Sequence, residues 1–154
     1  MQKLFFIVLL ILLSACQSPR VSSKDYEENP VMNNLAIYAL SLDGTPYKYG
    51  GTSPATGFDC SGFVGHVFKQ SLGKTLPRST AEISRVGTAL NLDELRPGDL
   101  VFYNTLNKRN SHMGIYLGEG RFVHSPSTGK SVTVVNMSDS YYRKRYNGAR
   151  RINP

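Results

Sequence analysis

A cysteine in FDCSGFV and two histidines, His112 opening HMGIYLG and His124 within RFVHS, are the side chains of this sequence that could do covalent chemistry together. A thiolate attacks carbonyl carbon. An imidazole, with a pKa near 6.5, can take the thiol proton and return it to a leaving group. Asp59 is a good N-cap, and Phe63, Val64, Val67, Phe68 and Leu72 share one helical face closed by Gly73. Cys60 is therefore expected in the first turn of a helix. Free backbone N–H groups and the macrodipole there favour the thiolate, so its pKa is expected below the ordinary value of about 8.5. The same N–H groups could receive the oxyanion of a tetrahedral intermediate.

The third histidine, His66, lies about 240° around that helix from Cys60 and so reads as a surface or packing residue. His112 and His124 fall on two adjacent strand candidates. If Gly118, Glu119 and Gly120 form a three-residue hairpin loop with Gly120 left-handed, Leu117 pairs with Arg121 and His124 falls opposite Gly114. His112 then lies diagonally across on the same face, within imidazole reach, and Gly114 leaves room for the rings. In that register His124 orients His112, fixing its tautomer.

The elements that must position these groups change character along the chain. Val31, Leu35, Tyr38 and Leu42 give a first helix of about 31–42, stopped by Gly44. The segment 45–57 is loop chemistry, and Ser79 with Glu82 forms a capping box for a short third helix ending at Gly87. After LRPGD come five short β-rich runs: 99–104, 112–118, 121–125, 131–136 and 146–152. Helices first and strands afterwards predict an α+β domain, a mostly antiparallel sheet with the Cys60 helix packed on it.

The first residues carry a single charge, Lys3, before an apolar run from Leu4 to Leu13. That run is shorter than the roughly 20 residues that span a bilayer and fits a signal peptide. LSAC at Leu13 to Cys16 resembles a bacterial lipoprotein signal cut before the cysteine, making residues 1–15 a leader and Cys16 a lipid anchor. Gln17 in place of Asp resembles lipoproteins sent to the outer membrane, so the expected location is its periplasmic face. Residues 16–29 read as the lipidated cysteine and a flexible tether, and 30–154 as one domain. With two cysteines in the chain and one claimed by lipid, Cys60 has no intramolecular partner. In an oxidising compartment it is a reactive group, an intermolecular bridge or a buried inert thiol.

The formal net charge is +7, with Arg143, Lys144, Arg145, Arg150 and Arg151 interleaved among Tyr141, Tyr142 and Tyr146. Export argues against nucleic acid as the partner. An anionic envelope polymer or a solvated basic face accounts for the charge better.

Taken in order, FDCSGFV, RPGDLVFY, SHMGIYLG and RFVHS resemble the NlpC family of bacterial cell-wall cysteine peptidases, over about Val31 to Ile152. The resemblance implies a compact papain-like fold with Cys60 as nucleophile, His112 as general base and then acid, and His124 as the polar residue orienting it. YKYGG resembles the family's tyrosine segment and implies the Tyr47 hydroxyl near the oxyanion, Tyr49 being the other tyrosine there. Asp59 and Ser61 flank the nucleophile and could contact substrate, although N-capping explains them more simply. The implied activity is a peptidoglycan endopeptidase cutting peptide stems or crosslinks through a thioester, with no cofactor or metal, expected as a monomer held at the membrane by Cys16. Three alternatives remain open at this stage: a non-catalytic envelope-binding lipoprotein of the same fold, an amidase or acyltransferase with the same Cys-His machinery, and zinc ligation by Cys60, His112 and His124.

Overall fold

The computed structural model describes residues 29–154. The expected leader, the Cys16 anchor and all but the last residue of the tether lie outside the described residues. Helix α1 (Pro30–Ser41) begins where the Asn29 side chain accepts a hydrogen bond from the Val31 N–H at 3.1 Å, with proline at N1. Its buried stripe is Met32, Leu35, Ala36, Ala39 and Leu42, while Val31 is exposed. The two alanines shift the stripe from the one that the larger apolar residues predict, because they let α1 pack against α2 (Cys60–Leu72). Tyr38 stands at the edge of that contact, its hydroxyl 3.0 Å from Nε2 of His66. His66 thus packs between helix and loop, as its place on α2 predicts.

Strands β1 (Thr52–Ser53) and β2 (Gly57–Phe58) make a small hairpin inside the segment read as loop. Two residues per strand carry too little alternation to be seen in a sequence. The capping box of Ser79 and Glu82 opens α3 (Thr80–Ile83), as expected. A six-stranded antiparallel sheet follows, in spatial order β3-β8-β4-β5-β6-β7. Its strands are β3 (Thr88–Leu90), β4 (Leu100–Tyr103), β5 (His112–Gly118), β6 (Arg121–His124), β7 (Thr133–Asn136) and β8 (Tyr146–Arg151). The sequence predicts five of these within a residue or two and misses β3, whose three residues are mostly exposed.

Two apolar clusters sandwich the sheet. Phe63, Val64, Val67 and Phe68 of α2 are fully buried against Leu100, Phe102, Met113, Ile115 and Val123. Burial of each such side chain contributes about 1.5–3 kcal/mol. On the other face Val101, Tyr103, Phe122 and Ala149 pack with Tyr142 and Tyr146. Tyr142 lies on the short helix α4 (Ser140–Arg143). Two tyrosines of the basic tail therefore face inward. β4 is buried on both faces, which explains its uninterrupted apolar run, LVFY. Asp99, also buried, accepts a forked pair of hydrogen bonds from Arg151, at 2.9 and 2.7 Å, tying β8 to the start of β4.

The β5–β6 hairpin departs from the expected loop. Gly118, not Leu117, pairs with Arg121 across the two-residue turn Glu119–Gly120, and both turn residues have positive φ (52° and 69°). A bulge between Tyr116 and Gly118 then adds one residue to β5 and restores the pairing Tyr116–Phe122 and Ile115–Val123. The histidines consequently keep the register argued from the sequence, by a different device. No helix among the described residues is long and apolar enough to cross a membrane.

Candidate active site

Asp59 caps α2 by accepting a 2.7 Å hydrogen bond from the Gly62 N–H, which leaves Cys60 as the first helical residue. A Cβ on Gly62 would collide with the carbonyl oxygen of Gly51, so only glycine lets the 47–51 loop lie across the first turn. The Asp59 N–H donates to that same Gly51 carbonyl at 3.1 Å, and Tyr47 bridges to Phe58. These contacts bring half-buried Tyr47 into the cleft beside Cys60, while Tyr49 in the same cleft is 87% exposed.

Cys60 is a free thiol. Its Sγ lies 3.4 Å from the Thr80 hydroxyl at the start of α3 and within reach of the backbone N–H groups of Ser61 and Met113. Met113 follows His112 on β5, so the sulfur sits against the strand that carries the first histidine. Burial pushes the thiol up, and the Asp59 carboxylate adds to this. The Thr80 hydroxyl and the two N–H groups pull the other way without prevailing. The lowered pKa expected from a helix start is thereby corrected: loss of water around the sulfur outweighs the N–H groups that reach it.

His112 and His124 are both buried and meet directly, Nε2 of the first to Nδ1 of the second at 2.6 Å, rings edge to face. Phe122 packs on His124, and the Tyr142 hydroxyl lies 3.4 Å from His124 Nε2. Gly114 makes this arrangement fit. A Cβ there would stand 2.7 Å from the Val123 carbonyl oxygen and 3.1 Å from the His124 Cβ. Burial lowers His112 to about 4 and, with His112 and Lys130 adding repulsion, His124 to about 3. Both rings are therefore neutral at pH 7. If His124 Nδ1 accepts, His112 carries its proton on Nε2 and His124 donates from Nε2 to Tyr142. That tautomer leaves His112 Nδ1 as a base.

Of the flanking residues named from the sequence, Asp59 and Ser61 both face Arg78. Its guanidinium donates to both Asp59 carboxylate oxygens, at 3.1 and 2.5 Å, and to the Ser61 hydroxyl at 2.7 Å. Partial burial alone would raise the Asp59 carboxyl. Arg78 and the N–H groups of Gly62 and Gly50 outweigh it and hold the group below the usual carboxylate range. Asp59 thus remains an anion with its oxygens engaged. Among the described residues no three His, Cys, Asp or Glu side chains gather as a metal ion requires, so the zinc alternative finds no ligand set. Sequence reasoning missed Arg78, Thr80 and Tyr142. The capping signal at Ser79 was the only mark on PRST, and Tyr142 was hidden among basic neighbours.

Cys60 lies in an open cleft of about 560 Å³, shared by Tyr47, Arg78, Thr80 and Leu106. A second hollow of about 420 Å³, which shares Leu106 with the first, reaches His112, His124, Lys130 and Tyr142. A smaller cavity between α1 and the C-terminus, lined by Met32 and Asp99, contains none of them.

Comparison with known proteins bears on this geometry. The sequence pattern of the NlpC/P60 family matches residues 44–151. The chain is 40% identical over 112 residues to "Murein DD-endopeptidase MepH" of Escherichia coli (strain K12), covering 71% of this chain and 41% of that protein. It is 34% identical over 171 aligned positions to "Murein DD-endopeptidase MepS/Murein LD-carboxypeptidase" of the same strain, covering 95% and 89%. Among solved structures, an NlpC/P60 family protein from Bacillus cereus ATCC 10987 superposes with a TM-score of 0.73 at 37% identity, over 80% of this chain and 40% of that one. The chain spans about two fifths of the length of two of these three relatives.

Proposed function

Because the chain belongs to the NlpC/P60 family, we propose that it is a peptidoglycan endopeptidase that hydrolyses amide bonds of peptide stems or crosslinks through a Cys60 thioester. The observation that carries this is the 2.6 Å pairing of His112 Nε2 with His124 Nδ1, which frees His112 Nδ1 on the strand touching Cys60.

In the proposed reaction Cys60 Sγ attacks the scissile carbonyl as its proton passes to His112 Nδ1. Burial disfavours charge on both groups, so the resting pair is thiol and neutral imidazole, with proton transfer accompanying attack. The oxyanion is received at the start of α2 by backbone N–H, with the Tyr47 hydroxyl as a second donor. Collapse breaks the C–N bond, and the leaving amine takes the proton from His112. Water then attacks the thioester, giving its proton to the same ring, and Cys60 leaves as thiol. His124 holds the ring orientation and Tyr142 holds His124.

The test uses the full chain with purified peptidoglycan sacculi. Wild type is expected to release muropeptides whose masses identify the cut bond, and Cys60→Ala is expected to release none. Equal absence of products from both would favour an envelope-binding protein, and cleavage at the sugar–peptide junction would favour an amidase.

Location is a separate proposal, supported by the apolar run and LSAC. Residues 1–15 are a leader, Cys16 carries lipid, and the domain of residues 30–154 acts as a monomer at the periplasmic face of the outer membrane. Two or more acyl chains make a stable anchor where one is marginal. Cys16→Ala should move the protein from the membrane to the soluble fraction, and unchanged fractionation would refute the anchor.

A further inference from the structure

The hollow that reaches His112 contains a cation without a counterion. Lys130 lines it, and among the described residues no carboxylate lies within ion-pair distance of the Lys130 ammonium. Asp139 lines the same hollow, but its side chain caps α4 by accepting the Tyr141 N–H at 2.8 Å. Lys130 stands close enough to His124 to repel a proton from that ring. Its backbone is anchored on both sides. The Lys130 N–H donates to the Ser127 carbonyl at 3.1 Å, its carbonyl accepts from the Tyr47 N–H at 2.8 Å, and Ser131 bridges to Pro46. The exposed ammonium is thus carried on a loop tied to the segment that holds Tyr47.

The remaining lining suits a short methylene chain. Leu106 and Tyr141 both line the hollow and are both exposed. Tyr141 is held by the Arg145 guanidinium, 3.9 Å over its ring, and by an edge contact with Tyr142. A volume of about 420 Å³ accommodates a residue of substrate. His112 lines this hollow and not the Cys60 cleft. In the proposed reaction His112 returns its proton to the leaving nitrogen. The residue that departs as the amine therefore belongs in the Lys130 hollow, with the acyl half at Cys60.

We propose that this hollow is the subsite for the leaving residue, in which Lys130 pairs with a carboxylate on the carbon that bears the leaving nitrogen while Leu106 and Tyr141 flank its methylene chain. The proposal deepens the peptidase reading and rests on it for which half of the substrate enters. A diaminodicarboxylic acid released from a crosslink carries that carboxylate. A lysine released from the equivalent bond carries only hydrogen there, and amidation removes the charge with little change of shape. Lys130 is accordingly a specificity-determining contact that separates leaving residues by charge rather than by size. Ion pairs of an exposed lysine are modest, so the preference is several-fold and not absolute.

The test uses the full chain and two synthetic pairs, a crosslinked dimer and a stem tripeptide. Each pair is made with a free carboxylate or a carboxamide on the carbon bearing the nitrogen to be released. Binding is measured by calorimetry in Cys60→Ala, and cleavage in the Cys60 enzyme. Cys60→Ala is expected to bind the carboxylate member of one pair about fivefold more tightly than its carboxamide. In Cys60→Ala/Lys130→Gln that ratio should fall close to one, and in Cys60→Ala/Lys130→Glu it should invert, which a merely structural role would not produce. The Cys60 enzyme should show the same preference in kcat/KM. Equal binding within both pairs would overturn the subsite. So would a Lys130→Gln or Lys130→Glu protein that melts like its parent and keeps the parental ratio. A Lys130-dependent preference without any cleavage would instead refute the peptidase and leave a carboxylate site standing, whereas cleavage without preference would refute the subsite and leave the peptidase.

Discussion

Nε2 of His112 and Nδ1 of His124 stand 2.6 Å apart on neighbouring strands, with ring planes at 77°. Two buried neutral imidazoles so placed must share one proton between them, and the neighbour of each outer nitrogen then sets the tautomer. The Tyr142 hydroxyl near His124 Nε2 completes the row. His112 is the only member adjacent to the Met113 N–H that the sulfur reaches. The roles are accordingly unequal. In the proposed reaction His112 exchanges protons, and His124 aims it.

That inequality predicts unequal losses. His112→Ala should lower kcat by roughly 10³-fold or more, near the level of Cys60→Ala. His124→Ala should cost about 10- to 100-fold with KM little changed, part of which His124→Asn restores by supplying an acceptor. Steady-state kinetics on a single stem peptide measures this. A His124→Ala protein that folds normally yet is as inactive as His112→Ala would show that His124 does more than orient.

The part of this arrangement legible in the sequence was the part fixed by periodicity and caps. Asp59 before an apolar helical stripe located Cys60, and the pairing register drawn from an assumed Gly118–Gly120 loop placed both histidines on one face. The hairpin loop was misjudged because Gly118 and Gly120 both suit left-handed geometry, and a bulge at one strand mimics a longer loop in its effect on register. Arg78, Thr80 and Tyr142 were not visible. Their partners lie 17 to 20 residues away or on another element, and no local pattern records such contacts. The thiol's pKa direction failed for a related reason. Helix position is local, whereas the burial that overrides it comes from the tertiary packing around the sulfur.

Thr80 gives a measurable handle on that thiol. Its hydroxyl stabilises the thiolate against burial, so Thr80→Val should raise the thiol pKa further. Iodoacetamide alkylation followed against pH should show a midpoint above the ordinary thiol range in wild type and a higher one in Thr80→Val. A wild-type midpoint below pH 7 would instead indicate a resting thiolate–imidazolium pair.

Gly114 tests the packing that admits the histidine pair. Alanine there meets the Val123 carbonyl, the Phe122 ring at 2.6 Å and the His124 Cβ. Overpacking of this kind costs about 1–3 kcal/mol. Urea unfolding should show that loss, and kcat should fall with it as His124 is displaced. A Gly114→Ala protein with unchanged stability and activity would mean that β5 and β6 separate freely, contrary to the register described.

The same histidines make folding sensitive to acid. Burial holds His112 at about 4 and His124 at about 3, whereas in the unfolded chain each titrates near 6.5. Between these values the unfolded chain binds more protons, so stability is full above about pH 7 and falls as pH drops through the window. Each histidine contributes a slope of at most about 1.4 kcal/mol per pH unit. His66, also lowered by burial, adds a smaller background of the same sign. The depressed Asp59 carboxyl contributes only below its unfolded value, near pH 4, so it does not enter the upper window. Chemical denaturation at pH 7.5, 6, 5 and 4.5 should therefore show wild type losing stability steadily, with His124→Asn losing less per unit. A wild-type curve flat from pH 7.5 to 4.5 would mean that the pair accepts a proton without penalty, and the neutral-pair account of the site would fall with it.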